Sequence, residues 1–460
     1  MFGKFKRVIA VISVAALMLS FSACGNKKEA NSGNVTEVKV WSESRGSKAV
    51  MLDLVNEWNS TVGKEKGIKI VYEVLTGNAG QQVEVALQSG TAADIIGSSD
   101  MKKRVALGYL QPIDELEGGK EFLESFSSRR SLANCMVGDH YYTVPASSIV
   151  GGLLYNKDLF KEAGLVDKNG EPTPPETYEE LREYAKKLTN PSKKQYGIIF
   201  PGKATGVWYS YEIKWPMMSS VGHDGFNPET NQYDFTGLKP IMETLMDIKN
   251  DGSCYPGTES IDADPARARF AEGTVGMKFG ISWDVGVLTD QFPAKCDWGV
   301  APLPVLDKDN CYKQKMEVYN GFSIVKIPEG KDADKIFEAY KFIASDEVRV
   351  ALFEEGVALP WDASIIEKAD TKNIPSQWKE FADLISISTA PPLAITTDTT
   401  GETSLDALFV SEVWNGSKDN ISKILNEWTK VSNNGIKLYR ERNPEYDPSA
   451  VDNSSFNPAR

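Results

Sequence analysis

Two hydrophobic periods alternate along residues 36–100 of the chain. Three short apolar segments predict β-strands, at 38–41, 68–75 and 94–97. The segments 47–60 and 81–88 lie between these strands and carry apolar residues three or four positions apart, so they predict amphipathic helices. Alternation of strands and helices is typical of a mostly parallel sheet with helices on both faces. The pattern therefore predicts a first α/β lobe.

The stretch 143–160 predicts the passage from this lobe to a second one. The Val-Pro pair at 144–145 ends one extended segment, and the Ile-Val-Gly-Gly sequence at 149–152 predicts a flexible crossover. An apolar strand restarts at 153–155, and Asn156 and its neighbours turn it into a helix. This order of extended, flexible and extended segments predicts a hinge.

A second α/β lobe is predicted after the hinge. Thr177 and Glu180 have the spacing of a capping box at the start of a helix over 178–188. The pattern predicts strands at 196–200 and 276–279 and further helices at 238–250, 266–272, 332–344, 348–355, 376–387 and 417–438. The last segment, 443–460, is rich in Pro, Asn and Ser, and we expect it to fray. At 460 residues the chain is longer than one core usually supports, which agrees with two lobes.

The amino-terminal residues predict an export signal. Three basic residues among the first seven precede an apolar run over 8–21, which is shorter than the roughly 20 residues that span a membrane. The ending Phe-Ser-Ala-Cys resembles a lipobox, in which Cys24 is diacylated and becomes the first residue of the mature protein. We therefore expect a lipoprotein signal peptide at 1–23, a lipidated Cys24 and a flexible polar tether over 24–35. The alternative is an ordinary signal cleaved near Ala23, with an incidental cysteine.

Composition narrows the classes of partner and of chemistry. The formal net charge of −13 argues against nucleic acid and polyphosphate ligands. The sequence lacks the phosphate-binding, nucleophile-elbow and zinc-binding motifs of common enzymes, and its two histidines are His140 and His223. We therefore predict no catalytic site, no metal site and no cofactor. Four cysteines follow Cys24, and the sequence leaves any disulfide open, with Cys296 to Cys311 as the most local pairing.

Polar side chains at strand ends are the first candidates for a binding site. Open α/β sheets bind ligands outside the carboxyl ends of their strands. Trp41 and Glu43 end the first predicted strand, and Ser99 and Asp100 follow the third. We therefore predict that these four residues contact a ligand. The alternative is that they are loop side chains that only face water.

Five segments, in their order along the chain, match the pattern of one family. They are TAADII at 91–96, LQPIDEL at 110–116, GLLYNKDLFKEAGL at 152–165, PPETYEELREYAKKLT at 174–189 and FAEGTVGMKFGISWDV at 270–285. On these segments the chain resembles the family 1 extracellular solute-binding proteins of ABC importers, the carbohydrate-binding branch. The resemblance implies a two-lobed α/β fold of the periplasmic-binding-protein type, with a hinge and a central ligand cleft.

The resemblance also implies how the chain divides between the lobes. The first lobe would contain 36–147 plus 281–322, and the second would contain 148–280 plus 323–442. The chain would cross between the lobes again near 280–283 and 319–323.

Binding residues for a sugar follow from the same resemblance. Trp283 belongs to the Gly-Ile-Ser-Trp-Asp block, whose tryptophan stacks on sugar in related proteins, and Trp361 follows a loop that the family brings to the cleft. Ser147 at the hinge, and Tyr319 and Asn320 at the last crossing, would offer polar groups to sugar hydroxyls.

An unusually aromatic segment over 202–222 adds two more candidates. A pyranose ring packs its C–H faces on flat aromatic side chains and needs polar partners for its hydroxyls. Trp208 and Tyr209 are of this type. The sequence leaves open whether they form a platform in the cleft or part of the core of the lobe.

These observations predict a lipid-anchored, extracytoplasmic and monomeric binding protein. It would capture a sugar or oligosaccharide by hinge closure and deliver it to the permease subunits of an ABC importer. One alternative is a secreted glycoside hydrolase, which would need two carboxyl groups about 5 to 10 Å apart across the bond that it cleaves. Another alternative is a binder of a non-sugar solute.

Overall fold

The computed structural model of the protein describes residues 35–126, 132–451, 453–454 and 456–460. The predicted signal peptide, Cys24 and the tether up to residue 34 lie outside the described residues. The strands are β1 Thr36–Ser42, β2 Ile68–Val74, β3 Ile95–Gly97, β4 Met136–Val137, β5 His140–Tyr141, β6 Pro145–Asn156, β7 Tyr196–Ile198, β8 Phe226–Asn227, β9 Gln232–Tyr233, β10 Val275–Ile281, β11 Trp298–Ala301, β12 Gln314–Asn320, β13 Phe322–Ile324 and β14 Ser388–Thr389.

The helices alternate with these strands along most of the chain. They are α1 Lys48–Ser60, α2 Val62–Lys66, α3 Ala79–Ser89, α4 Met101–Ala106, α5 Gly119–Glu124, α6 Lys157–Glu162, α7 Tyr178–Lys187, α8 Thr205–Trp208, α9 Trp215–Val221, α10 Lys239–Asn250, α11 Ala263–Ala271, α12 Asp284–Gly286, α13 Ala333–Ile343, α14 Asp346–Glu354, α15 Ala363–Ile366, α16 Ser376–Asp383, α17 Leu405–Leu408 and α18 Ile421–Arg442. The capping box predicted at α7 is present, because Thr177 accepts from the backbone of Glu180 and Glu180 from that of Thr177. None of the described helices combines the length and the apolarity that a bilayer crossing requires.

The first sheet has the strand order β13-β3-β1-β2. Strands β1, β2 and β3 are parallel, as predicted, and β13 joins β3 antiparallel. The face of the sheet that carries Val38, Val40 and Ile70 packs on α1 and α13. The opposite face packs on Val83 and Leu87 of α3. We call this sheet with its helices the first lobe.

The second sheet is built around β6, in the order β14-β12-β6-β10-β7, with β11 also paired to β6. Side chains of β6 alternate between two cores: Ile149 and Leu153 join one, and Val150 and Leu154 join the other. This alternation follows from the two-residue period of a strand that is covered on both faces. We call this sheet with its helices the second lobe.

The glycines predicted as a flexible crossover lie inside β6, so that prediction was wrong. A Cβ atom on Gly151 would lie 2.7 Å from Trp215 Cε3, and one on Gly152 would lie 2.6 Å from Val300 Cγ1. Both positions therefore need glycine for close packing rather than for flexibility.

The chain passes between the sheets at two neighbouring points. Val144 packs in the first lobe and β6 begins at the next residue. β12 ends in the second sheet, Gly321 donates its N–H to the Val144 carbonyl at 2.9 Å, and β13 then starts in the first sheet. The crossing expected at 319–323 is therefore present. The one expected at 280–283 is absent, because the chain after β10 returns to β6 through β11.

Packing also divides the chain differently from the expected lobe boundaries. Helix α13 buries Ile336 and Tyr340 against the first-lobe sheet, although 323–442 was expected in the second lobe. Strand β11 belongs to the second sheet, although 281–322 was expected in the first lobe. The apolar stripe of a helix predicts that one face is buried, but not which sheet covers it.

The carboxyl-terminal tail makes hydrogen bonds with the second lobe. Leu393 donates its N–H to Asn453 Oδ1 at 2.8 Å, and Lys313 donates its N–H to the Pro458 carbonyl at 2.8 Å. These bonds differ from the fraying that we expected. Cys296 and Cys311 carry free thiols, so the local disulfide is not formed.

Candidate functional site

A cavity of about 690 Å³ opens between the two lobes. It is lined by the carboxyl ends of β1 and β3, the start of β6, the turn after β10, the end of β12 and one face of α14. The predicted site residues that line it are Glu43, Ser99, Ser147, Trp283, Tyr319 and Asn320. The structure therefore brings six of the eleven predicted binding residues to one place.

The first-lobe wall of the cavity is built around the Glu43 carboxylate. Ser99 donates its hydroxyl to Glu43 Oε1 at 2.6 Å. Arg104 is fully buried behind the wall, with Nη2 3.9 Å from the same oxygen and Nη1 donating to the Gly97 carbonyl at 2.8 Å. The hydrogen bond from Ser99 fixes the direction of the carboxylate, whereas Arg104 lies behind it at ion-pair distance and donates Nε–H to Glu84 Oε1 at 3.0 Å. The Glu43 carboxylate is 30% exposed and can accept hydrogen bonds from a ligand.

The second-lobe wall presents two exposed aromatic rings. Trp283 is 56% exposed and Tyr319 is 41% exposed. Their ring centroids lie 6.1 Å apart, with an angle of 32° between the planes. Aromatic surface of this extent is normally buried, so an exposed pair inside a cavity offers a flat apolar face to a ligand.

The Tyr319 hydroxyl is held by a neighbouring carboxylate. It donates to Glu317 Oε2 at 3.2 Å. Burial and the negative charge of Glu317 both raise the pKa of the Tyr319 phenol above its ordinary value of about 10. The phenol therefore stays neutral at physiological pH.

The floor of the cavity is formed where the chain passes between the lobes. The Ser148 hydroxyl already has a partner within the protein, because it donates to the Pro360 carbonyl at 2.8 Å. The Asn320 side-chain amide also has partners within the protein: it donates to the Asn134 carbonyl at 2.9 Å and accepts from the Cys135 thiol at 3.3 Å. Ser147 is half-buried, and no described residue makes a hydrogen bond with its hydroxyl. Of these three side chains, Ser147 is the one most available to a ligand.

Residues 46–350, about two thirds of the chain, match the model of the bacterial extracellular solute-binding proteins. The chain belongs to this family. The match and the two-lobed structure confirm the predicted family and fold class. The family match does not identify the ligand of this solute-binding protein.

Relatives of this solute-binding protein bind different solutes. It is 27% identical to the maltotriose-binding protein of Pyrococcus abyssi over 64% of this chain and 60% of that protein. It is 25% identical to an sn-glycerol-3-phosphate-binding periplasmic protein of Agrobacterium fabrum over 63% of this chain and 65% of that protein. Similarity at this level does not distinguish a sugar from a phosphorylated polyol.

Solved structures with the same fold include several sugar-binding proteins. The sugar-binding protein MalE of Xanthomonas citri has a TM-score of 0.64 at 15% identity, covering 90% of this chain and all of that one. An ABC substrate-binding protein of Listeria monocytogenes in complex with cycloalternan has a TM-score of 0.58 at 17% identity, covering 89% of this chain and 99% of that one. At these identities the likeness establishes the fold alone.

Two predicted tryptophans of this solute-binding protein lie in the lobe cores rather than in the cavity wall. Trp361 is 3% exposed in the first-lobe core and stacks on Phe126, with ring centroids 6.3 Å apart. Trp208 is fully buried and packs edge-on against Trp414 at 4.7 Å. The rings that make tryptophan a good sugar platform also make it a good core residue, so residue type could not separate the two roles.

Two other predicted residues, Trp41 and Asp100, are not cavity-lining either. Trp41 packs partly buried on the α3 side of the first sheet, because its side chain points to the face opposite that of Val40. Asp100 has a φ of 51° and precedes helix α4. The backbone of Tyr209 starts a π-helical segment after α8, while its side chain lies outside the described structure.

Several cavity-lining residues were missed by the sequence argument. They are Ser44, Ser47, Tyr72, Asn134, Ser282, Arg349 and Trp378. Ser44 and Ser47 could have been found, because they lie with Glu43 in the short segment between β1 and α1. Arg349 carried no such signal, because it lies on a helix whose packing partner was unknown.

Proposed function

We propose that this protein is the lipid-anchored, extracytoplasmic solute-binding component of an ABC importer and that its ligand is a neutral sugar or oligosaccharide. The observation that carries the proposal is the pairing of two cavity walls. Trp283 and Tyr319 offer an apolar face on one side, and Glu43 and Ser99 offer a carboxylate and a hydroxyl on the other. A pyranose ring needs both kinds of surface.

The charges in the cavity favour a neutral ligand over an anionic one. Among the described cavity-lining residues, Glu43 is the only acid and Arg349 is the only base. Arg349 is 5% exposed, is paired with Asp346 at 2.9 Å, and stacks 4.6 Å from the centroid of the Trp361 ring. A phosphate would meet the Glu43 carboxylate without a cation exposed beside it on these walls.

The number of carboxylates that line the cavity favours a binding protein over a glycoside hydrolase. Hydrolysis of a glycosidic bond ordinarily uses two carboxyl groups about 5 to 10 Å apart. Glu43 stands alone among the described cavity-lining residues. Binding without chemistry is the simpler use of this cavity.

Capture then works by a shift between open and closed arrangements of the lobes. The two walls lie on different lobes, and the chain passes between them at residues 144–145 and 320–321. A ligand that contacts both walls stabilises the closed arrangement by the difference in its affinity for the two states. The permease subunits in the membrane would recognise the closed form of a single copy of this protein.

The anchor in this proposal is Cys24. Diacylation, typically with palmitate chains, would hold the protein at the outer face of the membrane, because two acyl chains bind stably where one binds marginally. The polar tether over 24–35 would then let both lobes move beside the permease. Cys24→Ala should release the protein into the medium or leave it unprocessed. Unchanged membrane retention of a variant that has been processed to the mature size would rule out lipidation at this position.

The ligand class is tested by a thermal-shift screen followed by calorimetric titration. The panel contains glucose, maltose, maltotriose, larger linear and cyclic oligosaccharides, and sn-glycerol 3-phosphate. A ligand at 100 times its Kd raises the free energy of unfolding by about 2.7 kcal/mol, so a true ligand gives a clear shift. Stabilisation by sn-glycerol 3-phosphate alone would contradict the neutral-sugar proposal. Shortened products after incubation with oligosaccharides would favour the hydrolase.

A further inference from the structure

A buried cluster of charged side chains lies directly behind the Trp283 platform. Asp284 is 1% exposed, Lys278 is 6% exposed and Arg267 is 18% exposed. Arg267 donates Nε–H to Asp284 Oδ1 at 2.6 Å, and Lys278 donates to Asp284 Oδ2 at 3.2 Å. The three side chains come from α11, β10 and the start of α12, so the cluster ties three elements together.

Stability of the lobe does not explain this cluster. Charges removed from water lose hydration that their mutual attraction often fails to recover, so apolar residues of similar volume would serve a core at least as well. The fully buried Glu212 lies beside the cluster, and its Oε2 atom has no hydrogen-bond partner among the described residues. Such an arrangement is costly, and a geometric role is the physical reason for keeping it.

The geometry links the cluster to the backbone that carries Trp283. Asp284 Oδ2 also accepts from the backbone N–H of Ile281 at 3.3 Å, which closes the turn from 281 to 284. Ser282 within this turn donates its N–H to the Val150 carbonyl of β6 at 3.1 Å. Both ends of the turn are therefore tied to the second sheet.

Trp283 depends on this turn because little else holds its ring. More than half of the side chain is exposed, and its aromatic contact is with Tyr319, which is itself exposed. A core tryptophan is oriented by the residues packed around it, whereas this one takes its direction from its own backbone.

We propose that Asp284, with Arg267 and Lys278, is a positioning cluster that fixes the turn at 281–284 and so presents the Trp283 ring to the ligand. This inference rests on the proposed function, because it assumes that Trp283 contacts a sugar. It assigns Asp284 no contact with the ligand. Asp284 acts through Trp283 alone.

A double-mutant cycle tests this claim with Asp284→Asn and Trp283→Ala. Asn keeps the volume of the side chain but removes the charge that both cations face. Asp284→Asn should weaken sugar binding about tenfold in the wild-type background and by less than about twofold in the Trp283→Ala background, because coupled residues are not additive. Asp251→Asn is the matched control, since it breaks the 2.6 Å ion pair with Arg182 in the same lobe, outside the cavity lining, and should leave affinity unchanged.

A measurement without ligand separates this inference from the proposed function. The fluorescence difference between each protein and its Trp283→Ala counterpart isolates the emission of Trp283, and iodide quenching reports its exposure. Asp284→Asn should change that quenching, and Asp251→Asn should not. If no sugar on the panel binds the wild type but the quenching changes, the positioning role stands and the proposed ligand class fails.

Three outcomes would overturn the inference. They are an equal loss of affinity in both backgrounds, an unchanged affinity in folded Asp284→Asn, and unchanged quenching of Trp283. If Asp284→Asn does not fold, Lys278→Met replaces it, because this change keeps the Arg267 pair and removes one of the two buried cations. The same losses and the same lack of additivity are then expected.

Discussion

Two groups of aromatic side chains in the second lobe differ in what surrounds them. Trp208, Phe409 and Trp414 are buried and touch one another, with Trp208 lying 5.2 Å from Phe409 and 4.7 Å from Trp414 between ring centroids. Trp283 and Tyr319 are exposed in the cavity, with ring centroids 6.1 Å apart. The first group holds the lobe together, and the second is free to hold a ligand. Tryptophan therefore has two uses here that only its surroundings distinguish.

The largest expected effect is on the buried group. Trp208→Ala should lower the free energy of unfolding by about 3–5 kcal/mol, because it leaves a large cavity among rings that cannot collapse into it. Urea unfolding followed by circular dichroism measures this change. The folded fraction should bind ligand as the wild type does, and a selective loss of affinity in folded protein would place Trp208 with the binding residues.

Trp361 extends the comparison to the first lobe. Its ring stacks on Phe126, and the guanidinium of Arg349 lies 4.6 Å from the Trp361 ring centroid and 4.9 Å from that of Phe126. Trp361 is close to the cavity but does not line it. Trp361→Ala should lower the free energy of unfolding by about 3 kcal/mol. Trp361→Phe is the control, because it keeps a stacked ring and should lose less. Normal melting temperature with weakened binding would contradict the assignment to the core.

Trp283→Ala should show the opposite signature. Loss of an aromatic anchor should weaken ligand binding by about 2 kcal/mol, roughly 30-fold in Kd. The free energy of unfolding should change by less than about 0.5 kcal/mol, since the ring is mostly exposed. Calorimetric titration beside thermal unfolding measures both quantities. A large fall in melting temperature with normal affinity would make Trp283 a packing residue like Trp208.

Tyr319→Phe is the smallest of these changes. It keeps the ring and removes the hydroxyl that donates to Glu317, so binding should weaken by at most about 1 kcal/mol. Because burial and Glu317 raise the phenol's pKa, the hydroxyl stays protonated from pH 7 to about 9.5, and this residue should add no pH dependence to binding in that window. A wild-type affinity that falls over this range, and stays constant in Tyr319→Phe, would show that the phenol ionises.

Local signals in the sequence predicted the elements well. The parallel strands β1, β2 and β3 and the capping box of α7 came out as expected, because periodicity and capping depend on residues within a few positions of one another. The glycines of β6 were misassigned for the complementary reason. What they allow is the approach of Trp215 and Val300, which are distant in sequence.

The part of the candidate site that lies at the carboxyl ends of strands could be predicted from the sequence. Glu43 and Ser99 were found from the rule that ligands bind at carboxyl ends of parallel strands, and Trp283 was found from a family pattern. Arg104, which lies 3.9 Å from Glu43, and Asp284, which closes the turn at Trp283, gave no signal, because they pair with residues on other elements. Charged residues on a helix or after a strand are usually solvated, and burial of these two is decided by packing.

The sequence by itself determined two α/β lobes, most helix and strand positions, the family, and an exported and acidic chain with a predicted lipid anchor. The tertiary structure decided which sheet α13 packs against and which sheet β11 joins. It also decided where the chain passes between the lobes and which tryptophans are exposed. The physical reason is that residue type sets how much free energy is gained by burying a side chain, whereas the neighbours that bury it come from distant parts of the chain. Trp208 and Trp283 are the same type of residue, and only the fold makes Trp208 a core residue and Trp283 a candidate platform for a ligand.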